Sequence, residues 1–446
     1  MPGNRQFLLM GIVASLATIT VLVAHACPYC PPTDATLSEK LAESDVACVV
    51  KFLSSENGEE LSMQKTTFEV LKSMRESQEF KPEPKIVTPF GLTAKEGDLF
   101  LLMGQLKEGQ LEWSLPIEFD ELGREYDYIR KAPSPEQPNV ERLAYFLKFL
   151  DHDNNVISND AFSEFAQAKF EDVEQLAPRI SRTKVRGWLE DPNPHLIVRR
   201  AFYGMLLGLC GNDEDAEYLR ERIMAPIDPT KNRIGIEGMM GGYLLLRGEP
   251  GLRFLVQQKF DSLEPELSAD DPRIGDLDAL RTTLSFLWDY RRSQFGEETL
   301  RTAMRKYLDR PEFSDMAVVD LARWKDWTPL EQLTNAYGKP PWDSLSAKEK
   351  IVAYVLSCRK DVPATAETKL PAHAAKAQAF LDTLDPEFVQ SVKRGMGGFS
   401  PAIKPAKTKS KETSNLEQPG TCLPWPVLWI CCLVQLMHRK APFNPM

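Results

Sequence analysis

The 446-residue sequence predicts a multidomain α+β protein, a small β-barrel-like domain followed by an α-solenoid. Three observations carry that prediction. Turn-then-helix windows recur about every forty residues from Asp151 onward. Five short strand-like runs precede them, within Cys27–Phe119. Two apolar runs, Phe7–Ala24 and Cys422–Met437, stand outside both regions. A chain of this length is expected to form two or three domains.

Composition narrows the function. The formal net charge is −10 and the pI is about 5.3. Affinity for nucleic acid comes mainly from clustered Lys and Arg, so a nucleic-acid partner is not expected. The acidic excess reads as a solvated surface. With 43% apolar residues and 33 prolines, the chain can bury a core without being a membrane protein throughout.

The N-terminus reads as an export signal. Arg5 precedes the apolar run, and Ala24-His25-Ala26 places small residues three and one before Cys27. This is the pattern of a signal peptide over residues 1–26, with an uncleaved anchor as the alternative. A lipoprotein signal would carry Leu three before the Cys, where Ala24 stands. At the other end, residues 395–421 have the composition of a disordered tether, most clearly in Pro401–Gly420. Residues 422–438 read as a marginal membrane anchor, because a spanning helix needs about 17–25 apolar residues. Trp425 and Trp429 suit the interface, and Arg439-Lys440 would keep the extreme C-terminus cytoplasmic. A removed sorting tail and a tail lying on the membrane remain open. Together these features predict an exported protein of the cell envelope, membrane-anchored or secreted, with membrane contact through its C-terminal tail.

The mature chain would begin Cys27-Pro28-Tyr29-Cys30. CPYC is the active-site motif of glutaredoxins, where the first Cys follows a strand and a helix N-terminus lowers its pKa. Here no helix is expected until Thr36 or later. Cys27 and Cys30 therefore read first as a structural pair, joined to each other or with one joined to Cys48, and second as a redox site. Haem attachment is excluded because Pro31 stands where a His is needed. A short helix, Leu37–Glu43, comes next. Strands follow over Asp45–Leu53, which alternates weakly, Leu61–Met74, Lys85–Thr88, Gly97–Leu106 and Leu111–Phe119, with a hairpin-type turn at Asn57-Gly58.

With its Cys at the cleavage site, then SDVACVVKF, FEVLKSM and GDLFLLMG, this segment resembles the netrin-like, OB-barrel domain of metalloproteinase inhibitors and complement proteins. The resemblance covers Cys27–Phe119 and places a β-rich domain at 27–125. In those inhibitors, which begin Cys-x-Cys, the amine and carbonyl of the first Cys chelate the target's zinc. The resemblance would give Cys27 that inhibitory role, although this chain begins Cys-x-x-Cys.

From Val140 onward strand signals vanish. Asn139 is a plausible N-cap, and Leu143, Phe146, Leu147 and Leu150 keep helical spacing. Ile157, Ala161 and Phe165 share a face in the next helix. Val185, Trp188 and Leu189 precede the next turn, and Ile197, Ala201 and Met205 follow it. Polar breaks occur at Gly211-Asn212-Asp213 and Gly248-Glu249-Pro250-Gly251. Paired helices at this period, with a turn Asp and a small residue inside the second helix, resemble HEAT repeats. Leu150–Phe165, Leu189–Leu206 and Leu308–Trp324 are the best windows, and the Arg typical of many HEAT second helices is present as Arg199 or Arg200. The resemblance implies an α-α superhelix over 140–394 whose surface holds another macromolecule. The whole layout also resembles exported bacterial proteins that join a Cys-x-x-Cys start to a helical repeat body, a likeness that supplies no activity.

No catalytic motif fits. Asp151, Asp153 and Asn155 begin like a calcium loop, but Val156 and Phe162 stand where Gly and Glu are required. Gly235, Gly238, Gly241 and Gly242 lack the Lys-Ser/Thr of a phosphate loop and read as close helix contacts. The five histidines do not pair at metal-ligand spacing, and no Gly-x-Ser-x-Gly elbow occurs. Trp324, Trp327 and Trp342 read as core, and Cys210 and Cys358 as buried free thiols. No catalytic, cofactor-binding or metal residue is assigned, so the reading is a non-enzymatic scaffold bound to another protein of the envelope or exterior. Cys27, Cys30 and Cys48 are the residues of a disulfide or redox site.

Overall fold

The computed structural model of the chain describes residues 29–30, 33–56, 64–77, 81–228, 233–264, 267–268, 270–362 and 370–396. The signal region, Cys27, the Asn57-Gly58 turn, the apolar tail and nearly all of the tether lie outside them.

Six strands form one antiparallel sheet: β1 (Val46–Glu56), β2 (Lys65–Arg75), β3 (Lys85–Thr88), β4 (Leu99–Lys107), β5 (Gln110–Trp113) and β6 (Ile117–Phe119). Their order is β3-β2-β1-β4-β5, with β6 also on β4. Among the described residues the edge strands β3 and β5 pair only with β2 and β4 and not with each other, so the sheet is open and the expected barrel does not close. The reason lies in the core. Cys48, Val50, Phe52, Phe68, Phe100 and Leu102 bury one face against Phe90, Leu92 and Ala94, so a loop covers that face instead of the sheet curling over it. The expected run Leu111–Phe119 forms two strands. Pro116, which has no N–H for a ladder, sits in the break between them.

The opposite face of the sheet meets the helices. Ala47 and Val49 of β1 stand opposite Met103 and Leu101 of β4, and all four join the helical core. Both faces of β1 are therefore buried, which explains why its sequence alternates only weakly.

The helices are α1 (Leu37–Glu43), α2 (Leu122–Lys131), α3 (Asn139–Phe146), α4 (Asn155–Ala166), α5 (Phe170–Leu176), α6 (Arg182–Glu190), α7 (Pro194–Ile197), α8 (Arg200–Cys210) and α9 (Asp213–Met224). They continue as α10 (Ile236–Val256), α11 (Arg273–Phe295), α12 (Glu297–Arg305), α13 (Ser314–Arg323), α14 (Leu330–Ala336), α15 (Leu345–Lys360), α16 (Ala372–Leu381) and α17 (Pro386–Gly395). The chain is thus α+β, a sheet followed by a long helical body.

Local details follow from local chemistry. Asn139 is the first helical residue of α3 and not its cap, and its amide donates to Asp172 at 2.8 Å. The window Asp191–Leu206 is broken between α7 and α8. There the buried Arg199 donates to the carbonyl of Leu150 at 3.1 Å and lies 4.9 Å over the Phe162 ring. α10 is broken at Gly248, whose φ of 61° favours glycine. Asn212 caps α9, with Asp213, Glu214 and Asp215 in the first turn, where the dipole favours acids.

Sheet and helices are joined by a buried carboxylate. Glu125 of α2 accepts the N–H of Asp120 at 2.6 Å and the amide of Asn154 at 2.7 Å, and Asn154 caps α4 by accepting the Ile157 N–H. Farther on, α8 and α10 touch backbone to backbone. A Cβ on Gly238 would lie 1.8 Å from the Ala201 oxygen, and one on Gly242 would lie 2.0 Å from the Gly204 oxygen.

Polar ties across the helical body recur at similar sequence separations. Trp188 donates to Asp151 at 3.0 Å, Arg247 to Asp213 at 2.8 Å, Arg233 to Asp276 at 2.7 Å, Arg281 to Asp320 at 3.0 Å and Trp327 to Asp361 at 2.7 Å. These ties span 34–43 residues. A longer tie is the ion pair of Arg291 with Glu174, across 117 residues.

Candidate functional site

Cys30 is disulfide-bonded. Cys48, Cys210 and Cys358 are free, so the sulfur joined to Cys30 lies outside the described residues, as Cys27 does. Cys48 points into the loop-covered face of the sheet, where burial pushes its thiol up to about 12. Burial likewise raises Cys358 to about 12 and, with help from Asp215, Cys210 to about 11. None of the three is a nucleophile near neutral pH. α1 begins at Leu37, capped by Thr36, whose hydroxyl accepts the Glu39 N–H while its own N–H donates to the Glu39 carboxylate at 2.8 Å. The helix N-terminus that activates a glutaredoxin cysteine is therefore not at Cys30.

What the structure brings together instead is Tyr29, residues 33–37 and the helical body. Tyr29 is buried, with its ring centroid 5.0 Å from that of Phe286 in α11. Its hydroxyl lies over Gly241, where an added Cβ would come within 2.4 Å. Phe286, Phe170 and Tyr290 form a connected aromatic wall, with centroids 4.7–5.5 Å apart. The Tyr29 hydroxyl makes no hydrogen bond. Thr283 faces it, and the Thr283 hydroxyl donates to the carbonyl of Ala279 at 2.8 Å, which leaves its oxygen able to accept. Thr33 Oγ1 is also buried without a partner.

Farther along, Gln167 donates to the carbonyl of Asp34 at 3.0 Å. Asp160 of α4 accepts the Leu37 N–H at 2.6 Å and the Tyr128 hydroxyl at 2.7 Å. Burial raises the Asp160 carboxyl from 3.8 to about 6, with Glu164 adding to the rise and Leu37, Tyr128 and Lys40 opposing it. Glu164 is itself held by Arg142 at 2.6 Å.

The remaining residues flagged in sequence have structural partners. Asp151 accepts from Trp188, Asp153 pairs with Arg124 at 3.1 Å, and Asn155 begins α4. Among the described residues no group of three or more His, Cys, Asp or Glu could hold a metal ion. Trp324 stacks on Trp288 at 4.5 Å, Trp327 donates to Asp361, and Trp342 is buried in the core. His373 contacts the Asp361 carbonyl at 2.9 Å. The four glycines divide by role. Gly238 and Gly242 face α8, Gly241 faces Tyr29, and Gly235 takes a φ of 85° before α10. Among the described residues no helix is long and apolar enough to cross a membrane.

Sequence reasoning missed Tyr29 and Asp160. Asp160 stands next to Ala161, inside a helix otherwise read for its apolar face, and an acid at such a position is the one local signal of a buried carboxylate. Tyr29 carried no signal beyond its place in CPYC. In comparisons with known protein families, curated proteins and solved structures, nothing matches the chain.

Proposed function

We propose that the chain is an exported, membrane-tethered scaffold whose helical body, a HEAT-like α-solenoid, holds another protein of the envelope or exterior. The observation that carries this reading is the recurrence of inter-helix ties at 34–43 residues, from Trp188–Asp151 to Trp327–Asp361. An array stacked unit upon neighbouring unit ties itself in this way and leaves a long surface for a partner. The acidic balance favours a protein partner over nucleic acid. The bonded state of Cys30 and its distance in sequence from the α1 cap support a structural role for the CPYC segment over thiol–disulfide exchange.

The test is amine-reactive cross-linking in intact envelopes, read by mass spectrometry together with the intact mass of the purified chain. The expected result is a mass beginning at Cys27, with cross-links from residues 140–394 that recur to one other protein. No recurring partner, together with a thiol–disulfide exchange activity lost in Cys27→Ser, would overturn the scaffold in favour of an envelope oxidoreductase. Inhibition of a zinc protease that vanishes on extending the mature N-terminus by one residue would favour the netrin-like inhibitor.

A further inference from the structure

We propose that the buried contact of Asp160 with α1 is a pH-sensitive latch, which holds α1 on α4 in acid and loosens it towards neutrality. The two ends of α1 are held by different parts of the fold. At its C-terminal end, Arg75 of β2 donates to the Leu41 carbonyl at 3.0 Å and Gln105 of β4 to the Glu43 carbonyl at 3.1 Å, both exposed bonds to the sheet. At its N-terminal end, Asp160 of α4 accepts the Leu37 N–H at 2.6 Å in a buried setting, and the same carboxylate accepts the Tyr128 hydroxyl at 2.7 Å. Gln167 adds an exposed bond to the Asp34 carbonyl at 3.0 Å. Leu37 is the one buried residue of α1. Thr36 and Glu39 cap the helix reciprocally, so its first turn does not depend on α4 to stay folded. A self-capped helix with little buried surface belongs to the low-stability end of a structure, and α1 parts from α4 while its other end stays on the sheet.

Charge decides which state is favoured. With α1 in place, burial raises the Asp160 carboxyl to about 6. Release of α1 lets water reach the carboxyl and returns it towards its ordinary 3.8. The groups that face it come from four helices. Lys40 of α1 and the Tyr128 hydroxyl of α2 favour the charged form, and Glu164 on its own helix opposes it. Arg142 of α3 is turned to Glu164 at 2.6 Å. Tyr145 of α3 donates to the Tyr128 carbonyl at 2.6 Å, and burial pushes its own hydroxyl up to about 12. The docked state therefore holds the Asp160 proton more tightly than the released one. Docking is strongest below about pH 3.8, weakens as pH rises through about 6 and is level above that. With these two values, the opening of α1 becomes about 25-fold more favourable between pH 4.5 and pH 7.

The experiment is hydrogen exchange on the full chain across pH 4.5–7, read by mass spectrometry and corrected for the intrinsic pH dependence of exchange. In the wild type, opening at the N-terminal end of α1 should rise more than tenfold over this range, while α10 and α11 keep their protection. In Asp160→Asn, which keeps an acceptor for the Leu37 N–H but carries no titrating proton, the opening of α1 should not change with pH. A pH-independent opening in the wild type overturns the latch. So does a rise that persists in Asp160→Asn, or one shared equally by α10 and α11, which would make the effect one of global stability. Should Asp160→Asn fail to fold, Tyr128→Phe decides. It removes a donor to the charged carboxylate, so the midpoint of α1 opening should move to higher pH. A midpoint that stays where it is in the wild type overturns the proposal.

Discussion

Asp160 shows how one side chain sets a pH dependence. Its folded carboxyl titrates near 6 against an ordinary 3.8, so between those values the folded chain binds the extra proton. A raised carboxyl pKa contributes stability that is complete below the unfolded value and is lost as pH rises through the folded one. The rise corresponds to about 3 kcal/mol at this buried position. The groups facing the carboxylate are the Leu37 N–H, the Tyr128 hydroxyl, Lys40 and, on its own helix, Glu164. Asp160→Asn keeps the shape and an acceptor for Leu37 but removes the titration. Its stability relative to wild type should be higher at pH 7 than at pH 4.5, by about 2 kcal/mol, since part of the effect already lies below pH 4.5. Urea unfolding of both chains at the two pH values measures this, and a pH-independent difference would refute it.

At the scale of elements, the packing of α8 on α10 makes opposite predictions for two glycines. Gly242→Ala drives a methyl into the Gly204 carbonyl, and since both partners are backbone the helices must separate. A loss of about 1–3 kcal/mol or more is expected, as for overpacked cores. Gly187 sits exposed inside α6 with nothing near its missing Cβ, so Gly187→Ala should stabilise by up to about 1 kcal/mol. Thermal melts of the two variants test both, and a neutral Gly242→Ala would show that the contact yields. These elements also mark what the sequence made legible. Helical spacing located Leu143, Phe146, Leu150, Ile157, Ala161 and Phe165, all buried, because a period near 3.6 survives in local sequence. The small helix Leu37–Glu43 was legible from its span alone, and the close-contact reading of Gly238 and Gly242 matches the geometry. The open edge of the sheet was not, because closure depends on what covers the second face, and that loop has no periodic signature. The Tyr29 contact was not, because residues from distant parts of the chain build it. The Leu37–Asp160 bond spans 123 residues, and nothing in either local stretch announces the other.

At the scale of the whole molecule, the sheet and the helical body share one hydrophobic core. Leu101 in β4 and Ile351 in α15 are both fully buried members of the same hydrophobic cluster, at opposite ends of the described chain. In a globule with uniform cooperativity, weakening either would lower protection everywhere. In a neighbour-coupled array, stability is a sum of unit and interface contributions, and damage stays near its origin. On the solenoid proposal, Leu101→Ala, which removes about 2–5 kcal/mol of packing, should raise hydrogen exchange in the sheet and in α2–α4. It should leave α15 and α16 protected as in the wild type. Ile351→Ala should do the converse, exposing α13–α16 and sparing β1 and β4. The Arg291–Glu174 pair and the Tyr29–Phe286 contact set the boundary of the first effect, because they tie α5 and Tyr29 to α11. Protection should therefore fall as far as α11 in the Leu101→Ala chain and recover beyond it. Exchange that rises equally in α15 and β4 for both variants would mean that the body unfolds as one block, and the solenoid reading of its helices would have to be abandoned.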